Sequence, residues 1–306
     1  MITKPIVFVL GAGSSFTFGY PLGKTLVDII LKNFDPSNSE NAIDIFRGLG
    51  FSEEEIIDFH LELKLSAAPS IDTFLEPRQE EQRYLGKLAI AYALIPFEKT
   101  DLLFDDNSWY KTLLNKLEPK FDDFDKNKLS FITFNYDRSL EYFLYIAMMN
   151  RFRKTEKEVV DKIQKIPIIH LYGKLGLLPW EKKEPYDYSR PYSPEVTPHI
   201  LRKSSKSLKI IYDKVASDDE DFKKAKVLIR NARKIYFLGF GFHKDNIERL
   251  NLKLITSNLS IPQTLEATSY KLSPELKESI PKLTKIRFPN HDWDVNNFIE
   301  QRLRIE

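Results

Sequence analysis

Residues 6–15 read Ile6-Val7-Phe8-Val9-Leu10-Gly11-Ala12-Gly13-Ser14-Ser15 (IVFVLGAGSS), and the fold follows from where that run breaks. The apolar half predicts a buried strand, and the glycines end it. A strand entering a tight glycine turn lets backbone N–H groups approach a phosphate closely, and a following helix aims the positive end of its dipole at that phosphate. Such a helix is predicted here, because Leu22, Leu26, Ile29, Ile30 and Phe34 recur at near-helical spacing and stop at Asp35-Pro36. Two other stretches share the pattern. Ser130–Asp137 (SFITFNYD) and Ile166–Gly176 (IPIIHLYGKLG) each end a buried strand on polar or glycine residues.

Outward from these runs, residues 38–128 read as mostly helical. Ser52 followed by Glu53, Glu54 and Glu55 is a helix start, and Tyr84–Leu94 is rich in helix formers. A strand over Leu129–Phe134 leads into a helix over Arg138–Met149, with Leu140, Phe143, Leu144, Ala147 and Met148 on its apolar face; Ile166–Leu171 is the next strand. Prolines at 179, 185, 191, 194 and 198 predict a long structured loop from Leu178 to Lys206 rather than a helix. A helix over Asp221–Ala232, a strand over Lys234–Leu238 (KIYFL), the turn Gly239-Phe240-Gly241 and a helix from Lys244 follow. Strands near Leu265–Thr268 and Thr284–Phe288 and a closing helix from Asp294 complete the set. Alternating strands and helices predict an α/β fold, a doubly wound, Rossmann-like parallel sheet with a helical insertion. We expect a single domain over residues 1–306, with its core at about 1–36, 128–178 and 226–306, the helical insertion at about 37–127 and a loop-rich insertion at about 179–225.

Composition narrows the function classes. Forty-six basic against 44 acidic residues leave a net charge of +2, so no strong field favours nucleic acid or an anionic membrane. With no cysteine, disulfides, thiolate metal sites and cysteine nucleophiles are excluded. The start of the chain is interrupted too soon by its glycine turn to read as a signal peptide, and no stretch reaches the roughly 18 apolar residues of a membrane span. The expectation is a soluble cytoplasmic protein without membrane or direct nucleic-acid contacts.

The glycine turn departs from the dehydrogenase fingerprint. Its third glycine would fall at Phe16, and Asp28, near the expected acidic position, lies inside a predicted helix instead of ending a second strand. Two readings stand, a phosphate-binding turn and a turn that only permits tight packing. Thr133, Asn135 and Asp137 occupy alternate positions and point to one side of a strand's C-terminal end, where parallel sheets bind ligands. Asn135 and Asp137 would equally suit a turn that caps the helix starting near Arg138. His60, His199, His243 and His291 show no metal-ligand spacing, and Ser14-Ser15 lacks the GxSxG elbow of hydrolases. Asp72, in SIDTFL (residues 70–75), reads as a first-turn helix acid or a residue facing the site from the insertion. The lysines at 203–209 and 223–226 read as solvated faces, and Trp293 as a core anchor.

GAGSS with Gly19 and Pro21 following, TFNYD, HLYGKLG, and Gly239-Phe240-Gly241-Phe242 with Asp245-Asn246 together resemble the sirtuin-like superfamily. The resemblance runs in family order over roughly residues 6–270 and is closest to the bacterial NAD-cleaving branch found in antiphage defence systems. It implies that Gly11, Ala12, Gly13 and Ser14 cradle the pyrophosphate of NAD+, with Ser15, Pro21, Thr133 and Gly173 in the same binding set. Asn135 would sit beside the nicotinamide ribose and orient a water, and Asp137 would hold the nicotinamide carboxamide. Gly239, Phe240 and Gly241 would pass the adenosine side, with Thr268 or Ser269 near the adenine ribose.

Sirtuins carry their catalytic histidine immediately before the glycine, where this chain has Tyr172, with His170 two residues earlier on what reads as the same strand face. Imidazoles suit proton transfer near neutrality, so His170 is the choice for general base or ribose-hydroxyl partner and Tyr172 for a positioning hydroxyl; a satisfied core histidine is the alternative. The resemblance thus implies an NAD+ glycohydrolase that releases nicotinamide and ADP-ribose, with NAD+ as substrate and no metal, as the effector of abortive infection. It further implies homo-oligomerisation and control by a partner such as a HerA-type ATPase or another defence-system sensor, since the chain has no GxxxxGK[ST] motif of its own. The alternatives are a non-catalytic NAD or ADP-ribose binding module and a protein deacylase. A deacylase usually carries a cysteine-bound zinc module, which this chain cannot build.

Overall fold

The computed structural model describes residues 1–38, 42–117, 120–182, 188–210, 219–252, 263–289 and 291–303. At its centre, β1 (Ile6–Leu10) is buried at every position and pairs in parallel with β2 (Leu129–Thr133) on one side and β4 (Lys234–Leu238) on the other. β3 (Ile168–His170) flanks β2, and β5 (Thr264–Ala267) flanks β4. The five-stranded sheet is parallel throughout, in the order β3-β2-β1-β4-β5 of a Rossmann-like α/β fold. Continuous apolar runs suit such strands because both faces are covered. Phe8 shows how the centre is filled, with its ring 5.4 Å from Phe131 and 5.5 Å from Tyr236 on the two neighbouring strands.

Register fixes the height at which each strand ends. Leu10 lies level with Thr133 and with Leu238, and Thr133 lies level with His170. Four strands therefore release their chains at one height, which brings the three motifs and the second glycine turn to one edge of the sheet.

The helices, among the described residues and in chain order, begin with α1 (Ala12–Ser15), α2 (Gly23–Asn33), α3 (Ile43–Arg47), α4 (Glu53–Leu65), α5 (Ile71–Leu75), α6 (Glu80–Leu94), α7 (Thr100–Leu103) and α8 (Trp109–Leu117). After β2 come α9 (Ser139–Phe152), α10 (Glu156–Ile163), α11 (Pro198–Lys206), α12 (Glu220–Asn231), α13 (Lys244–Arg249), α14 (Pro274–Thr284) and α15 (Val295–Gln301). The segment between α2 and β2 is helical as expected. Its α4 opens with a capping box in which the Glu55 N–H donates to Ser52 Oγ at 3.2 Å and the Ser52 N–H donates to Glu55 Oε2 at 2.7 Å. No helix among the described residues is long and apolar enough to cross a membrane.

Three local expectations are met only in part or fail. The helix expected from Leu22 to Phe34 is present as α2, but it does not follow the glycine turn directly: α1, a single turn of four residues, and a 3₁₀ turn over Phe16–Phe18 stand between them. The proline-rich loop contains α11, because Pro198 sits in its first turn, where no N–H is needed, and the Thr197 hydroxyl accepts the Ile200 N–H at 3.2 Å. The expected strand at 284–288 is reduced to one bridge between Arg287 and Glu266, since Thr284 still belongs to α14 and Lys285 ends it in a left-handed conformation. Pro185, counted in the loop, lies outside the described residues.

A buried charge cluster fastens the 175–193 segment to the core. Glu98, between α6 and α7, takes Arg138 from the start of α9 at 2.7–3.0 Å and both terminal nitrogens of Arg190 at 2.8 Å, with all three side chains almost fully buried. Arg138 also donates to the carbonyls of Leu177, Arg190 and Pro191, and Arg190 to that of Leu175. Burial and the Arg138 charge pull Arg190 below its ordinary value, and Glu98 opposes them. Removing Glu98 would leave two guanidiniums buried without their carboxylate. Glu98→Ala should therefore cost about 3–5 kcal/mol in denaturant unfolding and raise amide exchange over residues 175–193; a loss below about 0.5 kcal/mol, the range of ordinary surface substitutions, would contradict this role.

Candidate functional site

Two glycine turns meet at the upper edge of the sheet. The N–H of Gly11 donates to Leu238 O at 3.0 Å, that of Gly13 to Gly239 O at 2.9 Å, and that of Ser14 back to Gly11 O at 2.9 Å. A Cβ on Gly11 would lie 2.6 Å from Gly239 O, and one on Gly13 would lie 2.8 Å from the Gly239 Cα. Gly239 itself has φ +58°, and a Cβ there would lie 2.1 Å from the Ser14 nitrogen. Contact of backbone on backbone thus accounts for these glycines. Thr268 fixes the second turn by accepting the Gly239 N–H at 2.8 Å, and Phe240 packs its ring 5.1 Å from that of Phe134.

At the end of β2 the alternation read from the sequence is realised. Thr133 Oγ1 accepts the Asn135 N–H at 3.0 Å, and the Asn135 amide reaches across to the first glycine turn. Its Nδ2 lies 3.0 Å from Gly11 O, 2.9 Å from Ser15 Oγ and 3.2 Å from Ser14 Oγ. Because the Gly11 carbonyl can only accept, the amide nitrogen must face it. Asn135 Oδ1 therefore faces the other way, and no described residue donates to it. The Ser15 hydroxyl donates to Asp137 Oδ2 at 2.7 Å. Asp137 Oδ1 accepts the Ser139 N–H at 3.1 Å and the Ser139 hydroxyl, so it also forms the turn that starts α9. The turn that starts α9 is thus present, and Asn135 and Asp137 meet through Ser15. Burial raises the Asp137 carboxyl above its ordinary value, and the serine hydrogen bonds and the His170 charge work against that.

Phe134 and Tyr136 turn to the opposite side. The Tyr136 hydroxyl donates to Asp72 of α5, whose carboxyl is raised by burial despite that hydrogen bond and the nearby Arg249 charge. Asp72 is thus a first-turn acid of α5 that packs against Tyr136 from the insertion. Tyr172 donates to Asn246 Oδ1 at 2.9 Å and accepts from Arg249 Nη1 at 2.7 Å, and Arg249 lies 3.4 Å from Glu76.

His170 and Tyr172 do not share a face, contrary to expectation. β3 ends at His170, and the chain turns through Gly173 at φ +70°, so the two side chains part. His170 faces the Asn135 carbonyl and Glu141 Oε1, at 3.1 and 2.8 Å, whereas Tyr172 faces α13. Glu141 also accepts Lys174 at 3.0 Å, and Lys174 reaches Glu181 at 2.6 Å. Pro21, half-buried, follows Tyr20, whose hydroxyl meets that of Tyr192 at 3.1 Å. Ala12 stands in the first turn of α1, Gly173 bridges Leu208, and Gly241 lies beside the His243 ring.

Sequence reasoning missed Glu141, Lys174, Glu76 and Arg249. Glu141 sits four positions after Asp137 on the helix that TFNYD opens, and Arg249 three after Asn246 on the helix that follows the second glycine turn, spacings that place each pair on one face. The apolar cavity lined by Tyr110, Leu113, Phe131, Leu140 and Phe143 belongs to the core and is lined by none of the candidate site residues.

Gly239→Ala should destabilise the chain by about 3 kcal/mol, combining left-handed strain with overpacking. Gly23→Ala, with nothing within 4 Å of its added carbon, should stay within about 1 kcal/mol of wild type. Equal melting temperatures for the two variants would refute the close approach of the turns. Set against protein-family models and against curated proteins, the chain matches none.

Proposed function

We propose that this chain hydrolyses NAD+ at the nicotinamide–ribose bond, giving nicotinamide and ADP-ribose. The observation that carries the reading is the Asn135 amide, locked by its nitrogen to Gly11 and Ser15 while its Oδ1 has no donor among the described residues at the end of β2. Parallel sheets bind nucleotides at this edge, where the strand order reverses between β1 and β4. With right-handed crossovers the same order gives a doubly wound sheet. The motif order of the sirtuin-like NAD-cleaving branch supports the same assignment.

The chemistry asks for placement more than for reactive groups. As the C–N bond breaks, its electron pair returns to the nicotinamide ring nitrogen and the ribose takes oxocarbenium character; water then adds to the anomeric carbon and gives up a proton. In this reading Asn135 Oδ1 accepts a hydrogen bond from that water and Asp137 orients the carboxamide. Gly11, Ala12, Gly13, Ser14, Ser15, Pro21, Thr133 and Gly173 line the phosphates and the nicotinamide ribose, and Gly239, Phe240, Gly241 and Thr268 line the adenosine side. Since the N–H groups of Gly11, Gly13 and Ser14 already donate internally, entry of the pyrophosphate exchanges some of those bonds for bonds to phosphate oxygens. We further propose that this activity depletes NAD+ in antiphage abortive infection in the cytoplasm, restrained by homo-oligomerisation and by a partner such as a HerA-type ATPase. That part rests on the resemblance.

A second reading, a non-catalytic NAD or ADP-ribose binding module, is favoured by Tyr172 standing where sirtuins carry histidine and hydrogen-bonding within the protein. Nicotinamide release by the purified chain, over a range of protein concentrations and with and without a partner ATPase, separates the two. Hydrolysis should appear and fall about 100-fold or more in Asn135→Ala, the scale of losing one positioned polar group. Unchanged turnover in Asn135→Ala would remove the site, and NAD+ binding without turnover would establish the second reading.

A further inference from the structure

His170 lies at the end of β3, 9% exposed, with both ring nitrogens engaged. Nδ1 is 3.1 Å from the backbone oxygen of Asn135, and Nε2 is 2.8 Å from Glu141 Oε1. A backbone carbonyl has no proton to offer. Burial pushes the Glu141 carboxyl upward, but the Lys174 ammonium, 3.0 Å from Oε1, leads the interactions that hold the group well below its ordinary value, so it is a carboxylate and also only accepts. Each contact therefore requires an N–H from the ring, and an imidazole with N–H on both nitrogens is the cation. The charges around it balance. Glu141 from α9 receives Lys174 on the same oxygen that His170 uses, Glu181 of the 3₁₀ turn at 179–181 takes the other side of Lys174, and Asp137 lies nearby on the β2–α9 connection. His170, Glu141, Lys174 and Glu181 thus form one chain of alternating charge that is buried at its His170–Glu141 end.

We infer that His170 is kept as an imidazolium by Glu141 and the Asn135 carbonyl, and that it is a positioning residue which fixes the Asn135 backbone instead of the group that takes a proton from water. The charge state stands on the two hydrogen bonds and on Glu141 being a carboxylate; the consequence for turnover rests on the NAD+-cleaving reading. Tyr172 does not replace it as a base, because burial and the Asp72 charge hold its phenol protonated and it donates to Asn246. Water then adds to the oxocarbenium-like carbon as the C–O bond forms, and its proton leaves to bulk solvent.

Long-range proton–nitrogen NMR of the imidazoles in the full chain, assigned with His170→Gln, tests the charge state. Wild type should show both His170 nitrogens protonated near neutrality, about pH 6 to 8. In Glu141→Gln the amide can donate to a bare Nε2, so a single neutral tautomer should become detectable. A single neutral tautomer in wild type near neutrality overturns the inference whether or not any variant folds. Should Glu141→Gln not fold, Lys174→Met keeps the Glu141–His170 pair and should retain the doubly protonated ring. With NAD+, kcat/KM should stay flat over the same pH range, whereas a histidine base would lose tenfold per pH unit on the acid side. Such an acid limb, moved by Glu141→Gln, also overturns it. Absence of turnover everywhere counts against the NAD+-cleaving reading and leaves the spectrum to decide on His170.

Discussion

The contact of Gly13 with Gly239 is the constraint on which the upper edge of this protein depends. The two turns leave β1 and β4 at the same height, and the carbonyl of one accepts the N–H of the other with no room for a side chain between them. Adjacent parallel strands are separated by about 4.8 Å, so turns that stay in register must touch unless one swings away. Glycine on both sides lets them stay. The carbonyl of Gly11 is then left in a fixed place, and the Asn135 amide is built onto it.

From there the order spreads by polar contacts of limited choice. Asn135 holds Gly11 and Ser15, Ser15 holds Asp137, and Asp137 holds the first turn of α9. His170 holds the Asn135 carbonyl and is itself held by Glu141 from the same helix. A buried polar group without a partner costs about 1–3 kcal/mol, so each link makes the next one obligatory. Below, Glu98 does for the 175–193 segment what Asn135 does for the glycine turn: one side chain with several acceptor or donor sites gathers chain segments far apart in sequence.

The strands of the sheet and the convergence of TFNYD were legible because they depend on short-range pattern. Apolar runs predict buried strands, and alternation predicts which of Thr133, Asn135 and Asp137 share a side. What Glu98 and Glu141 do was not legible, since a lone acid in a helical segment looks like any solvated one until the fold brings Arg190 or His170 to it. Pro198 misled for a different reason: proline breaks a helix in its interior but starts one in its first turn, and only the preceding Thr197 marks the difference. The parting of His170 from Tyr172 depends on β3 stopping after three residues, and strand ends are set by neighbours across the sheet, not by local sequence.

A site held by fixed hydrogen bonds and the chemistry proposed for it suit each other. Cleaving a bond to an already cationic leaving group needs little proton transfer, and its transition state differs from the ground state chiefly in where positive charge sits on the ribose. Fixed dipoles answer that need better than titrating groups, because they do not have to reorganise as the charge moves. A histidine used as a base would have to keep one nitrogen bare, and in this fold both nitrogens are taken in holding Asn135 and Glu141. The same two hydrogen bonds that remove His170 from proton transfer are those that hold the Asn135 backbone in place, so in this chain precision of the amide is obtained by giving up the base.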